Sequence, residues 1–174
     1  MRNLLLAAAF LWCALALLAC SSPAQVARRS IDATTKTVQA AEAGFKTLVP
    51  LALDRIVEDE RAKRAADLAA AKCPAATETP ACQAVADAAV NRYVARTADF
   101  KGKAGKVDAS FGAAYGALLL AVVVVAEVEA GVRPESGLAG LAGRLAAVVG
   151  DVMAAYNTFK LFAGTLGTLP GWVP

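Results

Sequence analysis

The chain has 174 residues, a formal net charge of +3 and no histidine; hydrophobic residues make up 57%, aromatics 6% and charged residues 19%. The absence of histidine removes the commonest general base, the commonest metal ligand and the usual serine and cysteine triads. A charge this small, with no basic run interleaved with aromatics, argues against a nucleic-acid partner.

Residues 1–20 begin with Met1-Arg2-Asn3, continue as an apolar run from Leu4 to Ala19, and reach Cys20. One positive charge, an apolar core and small residues at the end are the parts of an export signal. A plain signal peptide or an anchor helix is the alternative, because the uncharged stretch runs past Cys20.

Leu17-Leu18-Ala19-Cys20 resembles a bacterial lipobox. The resemblance implies cleavage before Cys20 and lipidation of its thiol, leaving a signal peptide at 1–19 and a mature domain at 20–174. Ser21 and Ser22 follow, with no Asp after the cysteine. In the enterobacterial sorting pattern that resembles cargo for the outer membrane, with the domain on the periplasmic face. The resemblance stops at Cys20 and implies nothing about the family of the mature domain.

The first mature helix is expected at about 26–72. Ile31, Val38, Phe45 and Ala52 recur every seven residues, with Ala41 and Leu48 between them, and form an apolar seam. Pro50 is expected to kink or break it. Residues 54–67 carry nine charges in fourteen positions. Arg55–Asp59, Asp59–Lys63 and Glu60–Arg64 are opposite-sign pairs four apart, so the run reads as a solvated face. Its carboxylates at 58, 59 and 60 are not expected to be tuned by burial.

Cys73 and Cys82 bracket a stretch with Pro74 and Pro80. Cys13 leaves with the leader and Cys20 takes lipid, so these two remain as one pair for an oxidising compartment. A structural disulfide is expected, closing a ten-residue loop. A zinc site or a redox pair fits less well, because the spacing is not CxxC and histidine is absent.

The second helix is expected at 83–130. Tyr93, Thr97, Phe100, Ala104, Val107, Phe111, Ala114, Leu118, Ala121, Val125 and Val128 keep a 3,4 spacing through Gly102 and Gly105, where the helix is expected to loosen. Residues 109–126 carry no charge and contain Gly112-Ala-Ala-Tyr-Gly116. That run meets the lower length bound for a membrane span with a GxxxG motif inside. The favoured reading is a core helix sheltered by the seams at 31–48 and 138–166.

A third helix is expected at 136–166, starting near Pro134 and Ser136. Its seam runs from Leu138 through Leu145, Val152 and Phe159 to Leu166. A second line of small residues runs through Gly140, Gly143, Ala147, Gly150 and Ala154. Asp151, seven residues after Arg144, is either a solvent-edge charge or a buried carboxylate with a partner. Trp172 is expected to cap the helices, with an interface anchor or a binding tail as alternatives.

The expected fold class is all-α: an antiparallel helical bundle of three to four helices built on a long disulfide-capped hairpin. Periodicity alone leaves open a projecting stalk or a compact four-helix bundle. The chain shows no catalytic constellation and is not expected to be an enzyme. No cofactor, metal or small-molecule substrate is expected. The favoured function is a lipid-anchored envelope protein with a structural or protein-interaction role, its partners being the membrane through Cys20 and an envelope protein or a second copy. A membrane-active or oligomer-forming protein using 109–130 and 138–166, and an apolar ligand carrier, are the alternatives.

Overall fold

A computed structural model describes residues 22–73 and 79–166. The expected leader, Cys20, the middle of the cysteine loop and the Trp172 tail lie outside the described residues. The fold is all-α: α1 at Pro23–Ala70, α2 at Pro80–Glu129, a 3-10 turn at Glu135–Leu138 and α3 at Leu141–Thr165, packed together with no strand among the described residues.

Local chemistry accounts for each helix end. Ser22 caps α1, its hydroxyl accepting the Gln25 N–H at 3.3 Å. Thr79 caps α2 in the same way, accepting the Cys82 N–H at 3.2 Å. In both cases proline follows at the first helical position, where its missing N–H costs nothing. Both helices therefore start three residues earlier than the apolar seams suggest.

At the end of α1, Cys73 N–H donates to Leu68 O and Lys72 N–H to Ala69 O, with Lys72 at φ +55°. At the end of α2, Val132 N–H donates to Glu127 O and Gly131 N–H to Val128 O, with Gly131 at φ +71°. Each is a Schellman turn, which needs a left-handed residue after the last turn. Glycine fills that position after α2, and a lysine fills it after α1.

The third helix does not start at 136. Residues 135–138 make the 3-10 turn, and α3 begins at Leu141 after Gly140 at φ +73°. Gly140 O accepts the Arg144 N–H, so this glycine opens the helix. Neither Pro50 nor Gly102 and Gly105 interrupts its helix. Pro50 withholds one hydrogen bond from Lys46 O. Apolar burial of Phe45, Leu48, Ala52 and Ile56 around it holds the helix together.

The chain divides into two compact units, each drawing a segment from all three helices. The first comprises residues up to Val38 with Ala113–Gly150; the second comprises Gln39–Gly112 with the residues from Asp151 on. The core of the first is small: Ala27, Ile31 and Val38 from α1, Ala114, Leu118, Ala121 and Val125 from α2, Leu141 and Leu145 from α3. An Arg28–Glu129 ion pair joins α1 to α2 at its surface.

The second unit is aromatic. Phe159 of α3 is 2% exposed, with its ring 5.1 Å from Phe45 and 5.5 Å from Phe100. Phe111 lies 5.7 Å from Phe45, and Phe162 6.2 Å from Phe100. Such tilted pairs add about 0.5–1.5 kcal/mol each beyond area burial. The Cys73–Cys82 disulfide is formed in this unit.

The apolar run 109–126 is sheltered on one side only. Phe111, Ala114, Leu118, Ala121 and Val125 are buried, while Leu119, Leu120, Val122 and Val123 stand exposed. Three helical segments can cover about one face of each other, and this run is apolar all round.

Candidate functional site

Four features of the described residues bear on function: an ion cluster around the buried Glu60, a lysine-rimmed groove, the disulfide, and the exposed apolar face of α2. Cys20, the expected lipidation residue, lies outside the described residues, with Ser22 and its capped helix two positions on.

The ion cluster is built on Glu60, which occupies the position after Val38, Ala41, Phe45, Leu48, Ala52 and Ile56 along the buried seam of α1. Glu60 is 6% exposed, so the helix geometry forces a carboxylate into the core line. Two α2 arginines meet it. Arg96 Nη1 donates to Glu60 Oε1 at 2.8 Å, and Arg92 Nε lies 3.5 Å from Glu60 Oε2. Arg96 also pairs with Asp59 at 3.6 Å, and Arg92 donates to Asp67 at 2.5 Å.

The Arg96 hydrogen bond, against the cost of burial, holds the Glu60 carboxyl below its ordinary pKa; the charges of Arg96 and Arg92 add to this. This corrects the expectation that 54–67 is simply a solvated face. Arg55–Asp59 does pair along the helix, at 3.3 Å, but Asp59 and Glu60 also reach across to α2. The sequence signal was present: Glu60 continues the 3,4 seam four residues past Ile56. The cluster is a helix-to-helix clamp in which each arginine faces two carboxylates, Arg92 facing Glu60 and Asp67, and Arg96 facing Asp59 and Glu60.

Lys103 and Lys106 sit on continuous helix rather than at a loosened bend. Lys103 pairs with Asp99 and rests 4.2 Å from the centre of the Phe162 ring. With Val107, Ser110, Thr158 and Phe159 they line a groove of about 330 Å³. It is a shallow amphipathic cleft between α2 and α3 within the second unit. Asp151 and Arg144 are both exposed, so the buried-carboxylate alternative for Asp151 fails. No group of three or more Cys, Asp or Glu side chains able to hold a metal occurs among the described residues.

The small residues picked out by spacing are also open. A Cβ added at Gly112, Gly116, Gly143 or Gly150 would meet nothing within 4 Å. Two helical windows are long and apolar enough to cross a membrane, one in Pro80–Glu129 and one in Glu135–Thr165, with 28% and 22% of each window buried. A core helix of a soluble protein passes the same test mostly buried, so outward apolarity is the feature that needs a function.

No protein family, characterised protein or solved structure matches this chain.

Proposed function

We propose that the protein is a lipid-anchored component of a bacterial cell envelope that acts by contact and not by catalysis. The observation that carries this reading is the leader ending Leu17-Leu18-Ala19-Cys20, followed at once by the Ser22-Pro23 start of α1. The Cys73–Cys82 disulfide supports it, because such bonds persist outside the reducing cytosol. The outer membrane, periplasmic face, is the favoured location, since no Asp follows Cys20.

The domain is read as an antiparallel bundle built on a disulfide-capped hairpin of α1 and α2. Within the second unit, Phe45 meets Phe111, Glu60 meets Arg96 and Asp67 meets Arg92. Partner numbers fall on α2 as they rise on α1, which supports the antiparallel sense. The short loop closed by the disulfide supports the hairpin. The charged segments near it are the surface offered to an envelope protein.

Metabolic labelling with palmitate tests the anchor. Label is expected on the wild-type chain and absent from Cys20→Ala. An unlabelled wild-type chain recovered in the soluble periplasmic fraction would overturn the reading.

A second reading, self-association, is favoured by the open glycine positions on α2 and α3. Gly116→Leu and Gly150→Leu should then dissociate the assembly in analytical ultracentrifugation; a monomeric wild-type chain would count against it.

A further inference from the structure

We infer that the outward face of α2 in the first unit is a lipid-contact surface, lying in the bilayer to which Cys20 ties the chain. The inference rests on the lipoprotein reading above. Leu119 is 66% exposed and Leu120 68%, with Val122 and Val123 at 46% each. At about 100° per residue Leu119, Leu120 and Val123 fan across the side of α2 opposite the buried Ala114, Leu118, Ala121 and Val125, while Val122 stands at the edge of this face beside Arg28 and Asp32 of α1. Gly116 and Ala126 continue the exposed arc, and α2 carries no charge over residues 113–126.

The same unit does place charge where it faces water. Exposed Arg28, Arg29, Asp32 and Lys36 stand along α1. The uncharged arc of α2 is therefore a local departure, and a contiguous apolar face of this kind marks contact with apolar material. The tether favours a bilayer over a second copy. Ser22 caps α1 of this unit two residues beyond Cys20, and two residues extend at most about 7 Å. An acylated Cys20 would keep the Ser22 end of this unit within about 7 Å of the lipid headgroups.

The test uses the full chain with a single reporter at Leu119→Cys, Val123→Cys or Lys36→Cys, all exposed positions whose substitution spares the core. Each carries an environment-sensitive fluorophore and is reconstituted into phosphatidylethanolamine–phosphatidylglycerol vesicles containing acyl-chain-brominated lipid. Labels at 119 and 123 should shift to the blue and be quenched, while the label at 36 stays water-like. Water-like labels at 119 and 123 would overturn the inference. So would cross-linking of 119 to 119 between chains without quenching, which would assign the face to a second copy. Intact mass separates the two readings. An acylated Cys20 with a water-like position 119 sinks only the lipid face; an unmodified Cys20 with a quenched position 119 sinks only the lipoprotein reading.

Discussion

Glu60 is the residue whose chemistry departs furthest from its sequence surroundings. Its carboxylate sits in the core line of α1 and is held by Arg96 and Arg92. Glu60→Gln should cost about 2 kcal/mol in urea unfolding, since a charged hydrogen bond is lost while Asp59 and Asp67 still answer the arginines. The folded-state pKa of Glu60 lies below its ordinary value of 4.5. Its stabilisation is therefore complete above 4.5 and is lost as pH falls through the depressed folded value. The stability gap between wild type and Glu60→Gln should close over that acid range; a gap independent of pH would refute the assignment. At Phe159, which touches Phe45, Phe100 and Phe162, truncation to Ala should cost about 3–5 kcal/mol.

At the scale of elements, the helices carry local penalties that packing outweighs, and these predict opposite signs for similar substitutions. Gly105 stands in open space inside α2, so Gly105→Ala should stabilise by about 0.5–1 kcal/mol. Gly140 opens α3 at φ +73°, so Gly140→Ala should destabilise by about 1–2 kcal/mol. Both are read by chemical denaturation with an unchanged slope. The helix ends show why boundaries were harder to read than helices. Ser22-Pro23 and Thr79-Pro80 are capping pairs, but apolar periodicity registers only from the first buried residue, Ala27 in α1 and Cys82 in α2. At the third helix, Pro134 does precede a helical turn. That turn is 3-10, because Gly137 N–H bonds back three residues to Pro134 O.

For the whole molecule, the disulfide and the outward apolar face set behaviour. Replacing Cys73 and Cys82 with Ser should lower stability by about 2–3 kcal/mol, the chain-entropy value for a ten-residue loop. Thermal unfolding with and without reductant measures it, and the double variant should be insensitive to reductant. The exposed Leu119, Leu120, Val122 and Val123 predict that the chain stripped of detergent and lipid will associate or precipitate. A chain that stays monomeric at high concentration in plain buffer would speak against any apolar partner for α2.

Helical class, the cysteine pair and most of the three seams were legible in the residues themselves, because 3,4 spacing and alanine content act locally along the chain; Tyr93, placed in the second seam by spacing, is instead exposed, and Cys82, Ala86 and Ala89 carry the core at that end of α2. Thirty-seven alanines between 21 and 174 leave little room for any other class. Two matters needed the tertiary structure. Burial of Glu60 depends on two arginines more than thirty residues away. Exposure of one side of 109–126 depends on how much of a helix its two neighbours can cover. Apolar spacing marks which residues are able to be buried; the number of neighbouring helices decides which of them are.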